Sequence, residues 1–265
     1  MSTNSKGTAL VTGASTGIGA IYADRLVRRG YDLIIVARNR DRLDALAKRL
    51  GDETGRTIEV VAADLSDSAD LQRVEAILRG NASIRTLVNN AGLGAAAPLL
   101  ASDVDKMEQM IALNVTALTR LTYAAAPAFK ERGGGTIINI ASMVAIAPEV
   151  LNGVYGGSKA FVLAFSQSLH KELAQHNIRI QAVLPGAIAT EFWDLAGLPV
   201  SNLPNETVMQ AGALVDAALS GLDQGELITI PSLPDIADWN AYEAARQRLM
   251  PNLSRSTPAS RYAAR

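Results

Sequence analysis

Seven short runs of apolar, β-branched residues recur along this chain, at 9–12, 32–37, 58–63, 86–89, 136–141, 178–184 and 227–230, and most are separated by enough chain for a helix to cross a sheet. Runs such as LIIVA (33–37) and TIINIA (136–141) are apolar at successive positions, so both of their faces must be buried. A parallel sheet covered by helices on both sides satisfies that demand. The pattern predicts a doubly wound, seven-stranded parallel α/β fold, with helices over 17–29, 41–50, 68–79, 102–130, 156–175 and 206–222. At roughly 150 residues per domain, 265 residues amount to about 1.8 domains, but open α/β sheets commonly reach about 250 residues as one unit. One domain over 1–230 is expected, followed by an extension over 231–265.

Composition removes several function classes. Against 26 Asp+Glu, 25 Lys+Arg leave a formal charge of −1, without the basic field a polyanion requires, so no nucleic-acid partner is expected. The absence of Cys excludes disulfides, thiolate metal sites and a Cys nucleophile. His170 and His176 lack any surrounding ligand pattern, and no metal is expected. The opening MSTNSKGTALVTG reaches a strand-like run too soon for the apolar core of a secretory signal, and no window holds 18 consecutive apolar residues. The reading is a cytoplasmic protein without a membrane span.

Three constellations carry chemistry. The first strand runs into Gly13-Ala-Ser15-Thr16-Gly17-Ile18-Gly19 and then a helix. Glycines there permit positive φ and close backbone approach, and the helix N-terminus offers N–H donors and a positive dipole to a pyrophosphate. At the end of the second strand, where an NAD-binding fold places a carboxylate against the ribose 2′-hydroxyl, stands Arg38. Its guanidinium suits the 2′-phosphate of NADP. Tyr155 and Lys159, spaced i, i+4 at the start of a predicted helix, share one face, and a cation beside a phenol favours the phenolate. Ser142 ends the fifth strand and Asn114 lies inside a helix, where Asn has poor propensity.

Together, Thr12-Gly13-x-x-x-Gly17-Ile18-Gly19, Asp64-Leu65, Asn89-Asn90-Ala91-Gly92, Asn114, Ser142, Tyr155-x-x-x-Lys159 and Pro185-Gly186-Ala187-Ile188-Ala189-Thr190 resemble the short-chain dehydrogenase/reductase family, in its order and spacing, from residue 8 to about 230. The resemblance implies a Rossmann fold and a hydride exchanged between a nicotinamide cofactor and a carbonyl or alcohol. It implies that Tyr155 is the general acid/base, that Ser142 orients the substrate oxygen, and that Lys159 binds the nicotinamide ribose and lowers the Tyr155 pKa. Asn114 would hold a water linking Lys159 to solvent. Gly13, Gly17 and Gly19, with the backbone of Ser15, Thr16 and Ile18, would cradle the pyrophosphate. Asp64 and Leu65 would meet the adenine, with Asn90, Ala91 and Gly92 near the adenosine ribose. Pro185, Gly186, Ile188 and Thr190 would fix the nicotinamide. Many members carry a second basic residue just before the middle glycine, where this chain has Thr16, so a preference for NADP(H) over NAD(H) rests on Arg38.

Specificity lies where the chain is its own. The stretch 187–205 reads as a lid at a strand's carboxyl end. Leu93, Val144, Val150, Phe192 and Trp193 form the expected substrate pocket, which has no Arg or Lys cluster for an anionic group. A small to medium, largely apolar ketone, aldehyde or alcohol is expected, and family habit implies a homotetramer or dimer built on the helices 102–130 and 156–175. An NAD-dependent alcohol dehydrogenase and a non-catalytic dinucleotide sensor are the alternatives. Met107, Met110, Ile111 and Leu113 read as the apolar stripe of a packed helix.

Overall fold

The structure, a computed structural model, describes residues 5–262. The first four and last three residues of the expected domain and extension lie outside it. Among the described residues the strands are β1 (Thr8–Thr12), β2 (Asp32–Ala37), β3 (Ile58–Ala62), β4 (Ile84–Asn89), β5 (Gly135–Ile140), β6 (Ile178–Val183), β7 (Ala187–Ala189), β8 (Val208–Gln210) and β9 (Ile228–Thr229). The helices are α1 (Gly17–Arg28), α2 (Arg40–Thr54), α3 (Ser68–Gly80), α4 (Val104–Ile111), α5 (Leu118–Glu131), α6 (Gly153–Leu173), α7 (Phe192–Leu195), α8 (Ala211–Gln224) and α9 (Ile236–Arg248). Seven strands form one parallel sheet in the order β3-β2-β1-β4-β5-β6-β9, the doubly wound Rossmann arrangement expected from the sequence.

Successive side chains of each strand feed opposite cores. Ala9, Val11, Leu33 and Ile35 pack with Tyr22, Leu26, Leu43, Leu50, Leu214 and Leu222 on the face covered by α1, α2 and α8. Leu10, Ile34, Val36 and Ile137 pack with Leu71, Val74, Leu121, Phe129 and Leu169 on the face covered by α3, α5 and α6. This two-sided burial explains why the strands read as unbroken apolar runs.

Four of the departures from the sequence reading matter most here. The single helix expected over 102–130 is α4 and α5 joined by a π-helical stretch, Ala112–Ala117, because the Asn114 side chain is drawn out of the helix to bond the backbone of Leu93. The helix α6 begins at Gly153 because the Asn152 side chain caps it. The helix expected from 206 begins at Ala211, since Val208–Gln210 pairs in parallel with Ala187–Ala189 as a second small sheet. The last strand is shorter than expected, Ile228–Thr229.

The chain divides into one compact unit ending at Pro231 and a second beginning at Ser232. The second contains α9, capped by Asp235, with Trp239 and Tyr242 stacked at 5.2 Å between ring centroids. No helix of the described residues is long and apolar enough to cross a membrane.

One buried charge ties α3 to α5. Glu75, 3% exposed, accepts from Arg79 on its own helix at 2.6 Å and from Arg120 of α5 at 2.5 Å. Burial raises its carboxyl, but the two arginines outweigh burial and hold it below the usual carboxylate range. Its stabilisation is therefore fully present above the unfolded-state pKa and is lost as pH falls through the folded value. Glu75→Gln is expected to cost about 2 kcal/mol at pH 7, less than a wholly buried pair because both arginines keep access to water. Denaturant unfolding should show the gap between the two proteins closing as the pH falls below the usual carboxylate range.

Candidate active site

Between β1 and α1 the chain turns within four residues. Gly13 and Gly17 take φ of +66° and +54°, in the left-handed region where a Cβ is strained. A Cβ on Gly19 would lie 2.3 Å from the Gly13 carbonyl oxygen and 2.5 Å from Asn90 Nδ2, so only glycine lets the turn close. The N-cap Thr16 makes no side-chain cap and the first turn of α1 holds no acidic residue, which leaves its amide donors and positive dipole end for an anion.

The turn is tied to β4. The Thr12 hydroxyl donates to the Val88 carbonyl at 3.2 Å and accepts from the amides of Asn90 and Ala91 at 2.9 and 3.0 Å. Asn90 Nδ2 donates to the carbonyls of Thr12 and Gly13 at 2.9 and 3.2 Å. Arg38 follows β2 directly and is exposed, and no ion pair involving it is formed among the described residues. At the end of β3, Leu65 is buried, while Asp64 Oδ1 accepts from the Ser66 amide at 2.9 Å. Thr190 stands over the turn, its Cγ2 3.2 Å from where a Gly17 Cβ would be. Backbone donors, a helix dipole and a close-approach glycine fit the pyrophosphate of a dinucleotide.

Four side chains gather between β5, α6 and the π-helical stretch. Tyr155 and Lys159 rise from the first turns of α6, both buried. Lys159 Nζ lies 5.9 Å from the Tyr155 ring centroid and donates to the Ile140 carbonyl at 2.9 Å. Burial pulls its ammonium down to about 8. Burial also pushes the Tyr155 phenol up to about 12, against a lowering by the Ser142 hydroxyl. Ser142 Oγ makes a long hydrogen bond, 3.4 Å, to the Pro185 carbonyl. Asn114 is engaged at both ends: Oδ1 accepts from the Leu93 amide at 2.8 Å, and Nδ2 donates to the Leu93 carbonyl at 2.9 Å and to Ser158 Oγ at 3.0 Å. Ser158 in turn donates to the Tyr155 carbonyl at 2.8 Å, so Asn114 braces the Leu93 loop against the tyrosine's helix. Gly92 keeps this space open, since a Cβ there would come within 3.1 Å of Asn114 Oδ1 and 3.5 Å of Lys159 Nζ.

An apolar wall packs around Tyr155. Met110 and Val144 are buried against it, with Leu93, Met107, Met143 and Phe192 half-buried beside them. Phe192 tilts against the Tyr155 ring at 5.8 Å between centroids and sits on Gly94, where a Cβ would fall 2.1 Å from its ring. The Ala96 amide donates to the Ala196 carbonyl at 3.1 Å, and Arg42 of α2 pairs with Glu191 at 2.8 Å, so the segment after β7 is fastened on two sides.

Two expected pocket residues lie outside the packed wall. Val150 is 54% exposed on the one-turn helix Pro148–Val150. Trp193 is buried but turned inward, its indole N–H donating to the Ile188 carbonyl at 2.9 Å and its ring edge-on to Phe192. Conversely, Met107 and Met110, read from the sequence as an ordinary packed stripe, form part of the wall, while Ile111 of the same stripe is exposed. Spacing marks an apolar helix face but not whether core or ligand covers it. Gly94 and Asn152 were also missed, although Asn immediately before the first turn of a helix is a capping signal. No group of three or more His, Cys, Asp or Glu capable of holding a metal occurs among the described residues.

A family profile described as short chain dehydrogenase matches residues 7–197. Among solved structures, a short-chain dehydrogenase from Sphingobium yanoikuyae in complex with NADPH is 50% identical, with a TM-score of 0.93 over 97% of this chain and 100% of that one. A bulky-bulky ketone specific alcohol dehydrogenase from Comamonas testosteroni is 45% identical, with a TM-score of 0.90 over 97% and 99% of the two chains. A very-long-chain 3-oxoacyl-CoA reductase of Anas platyrhynchos is 34% identical over 208 residues, which cover 77% of this chain but only 66%, just under two thirds, of that protein.

Proposed function

From its membership of the short-chain dehydrogenase/reductase family, we propose that this chain is an NADP(H)-dependent oxidoreductase that interconverts a ketone and a secondary alcohol carrying largely apolar groups. The observation that carries the reading is the phenol of Tyr155, buried in an apolar wall with Lys159 and Ser142 beside it. The likeness to the Comamonas testosteroni enzyme supports substituents of some bulk, and the three methionines of the wall, flexible at every bond, suit them.

When bound, the nicotinamide dinucleotide supplies or accepts the hydride. The backbone from Gly13 to Gly19 and the N-terminus of α1 hold the pyrophosphate, and Arg38 holds the 2′-phosphate. Asp64 and Leu65 border the adenine, Asn90, Ala91 and Gly92 the adenosine ribose, and Pro185, Gly186, Ile188 and Thr190 the nicotinamide. Ser142 exchanges its long bond to Pro185 for the substrate oxygen, and Tyr155 gives that oxygen its proton in reduction. Lys159, charged at neutral pH with donors to spare beyond Ile140, lowers the cost of the phenolate left behind. Asn114 holds Leu93 and Ser158 in place, and a water beside them would return a proton to Lys159 from solvent.

Turnover of NADPH with a panel of apolar ketones, abolished by Tyr155→Phe, is the expected result. Arg38→Ala should raise the KM for NADPH at least tenfold and leave that for NADH within about twofold, as a charged hydrogen bond worth about 1.5–3 kcal/mol requires. Equal use of NADH by the wild type would overturn the role of Arg38, and tight NADPH binding with no turnover would favour the sensor.

Reduction requires protonated Tyr155 and charged Lys159. Its kcat/KM should hold level below about pH 7 and fall with rising pH beyond the Lys159 value of about 8, by about tenfold per unit. Lys159→Arg, which stays charged, should remove that fall within the measurable range.

A homodimer or tetramer goes with this reading. Tyr123 of α5, 69% exposed, stacks on Phe165 of α6, which stacks on Phe161, making an aromatic ladder along the two helices expected at the interface. Light scattering should return a mass at least twice 27.9 kDa, and Tyr123→Arg should lower it.

A further inference from the structure

Among the described residues five α-helices carry a side-chain N-cap, and four of these caps are alike. Asn39, Asp67, Asp103 and Asp235 are exposed and accept only from amides of the first turn they cap. Asn152 differs, being 4% exposed, and both halves of its amide are used. Oδ1 accepts from the Val154 amide at 2.8 Å and from that of Tyr155 itself at 3.4 Å. Nδ2 points the other way, donating to the Ala97 carbonyl at 2.7 Å and to Ser102 Oγ at 3.0 Å. Capping needs only an oxygen, as Ser or Asp would supply, so the second half of the amide serves something other than the helix.

That half ties down the middle and end of the loop 95–102, whose start is held by the long bond, 3.4 Å, from the Asn152 main-chain amide to the Ala95 carbonyl. Burial does not hold it, since its largest apolar side chains, Leu99 and Leu100, are 81% and 98% exposed. The loop is the seat of the lid: Gly94 just before it receives Phe192, and the Ala96 amide bonds the Ala196 carbonyl beyond α7. Phe192 packs on Tyr155. One buried amide thus connects the backbone of the tyrosine to the surface on which the lid closes over it.

We propose that Asn152 is a positioning residue whose two-sided amide sets both Tyr155 and the loop 95–102 that seats the Phe192 lid, and so sets the fit of the carbonyl substrate. The substrate clause rests on the function proposed above, whereas the structural coupling does not.

Two cap-retaining variants separate the halves. Asn152→Ser and Asn152→Asp keep an oxygen for α6 but lose the donors to Ala97 and Ser102. In both, hydrogen exchange at the amides of Ala96, Ala101 and Ser102 should speed up at least tenfold, and peptides covering 192–198 should follow, while amides 156–162 of α6 keep their wild-type rates. Steady-state kinetics with an apolar ketone should show KM raised about fivefold and kcat within about twofold. In Asn152→Ala, which loses both halves, kcat should fall as well. Wild-type exchange in the loop and lid of the Ser and Asp variants, with only the melting temperature changed, would reduce Asn152 to a cap and overturn the proposal. Faster exchange with an unchanged KM would overturn its substrate clause. A wild-type protein that turns over no carbonyl would sink the proposed function instead, and exchange would still decide the coupling.

Discussion

The arrangement depends on one place in the sheet, the gap between β1 and β4 where the winding reverses. A parallel sheet apolar on both faces must be covered twice, so the helices after β1 and β4 leave to opposite sides. Backbone groups at the carboxyl ends of these strands are left with no helix over them. The Thr12 hydroxyl and the Asn90 amide supply those groups with partners and fix the spacing of the two strand ends. The glycine turn can approach Asn90 only because Gly13 and Gly19 lack a Cβ. The same uncovered crevice that would be a defect in a purely structural sheet is where a ligand's polar groups are satisfied.

On the other side of the gap, the fold places two ionisable groups where water scarcely reaches. Burial moves Tyr155 up and Lys159 down, each toward its neutral form, so burial alone opposes the ion pair that proton transfer creates. Lys159 spends one donor on the Ile140 carbonyl and turns toward the space that Gly92 leaves open. Polar groups of a bound dinucleotide would fill that space.

The substrate side is assembled from weaker parts. The wall round Tyr155 comes from four separate pieces of chain: the loop after β4, α4, the turn after β5 and the segment after β7. None of the wall residues belongs to the two large cores, and the last segment is anchored by the buried Trp193, whose indole donates to the Ile188 carbonyl, and otherwise held by an aromatic contact, one backbone hydrogen bond and an exposed ion pair. Elements with few buried contacts are those that open at low cost. A rigid cofactor crevice joined to a loosely fastened substrate wall suits an enzyme that must hold one ligand firmly and admit another.

The sequence by itself determined the elements whose burial is two-sided or whose backbone geometry is extreme. Unbroken runs such as 33–37 announce a covered parallel strand, and the glycines at 13, 17 and 19 announce a turn that no other residue can make. Tyr155 and Lys159 were legible for a similar reason, since spacing on one helix fixes a shared face without help from the rest of the fold. What only the tertiary structure decided depends on which distant segments meet. Met107 and Met110 look like any packed stripe until Tyr155 is placed opposite them, and Val150 stands half-exposed, apart from the packed wall around that tyrosine. Asn114 breaks its helix because the Leu93 backbone lies within reach, and Asn152 faces two ways because the loop 95–102 passes above it. Local periodicity encodes burial and backbone strain, whereas the partner of a hydrogen bond made across fifty residues is set by the packing of the whole sheet.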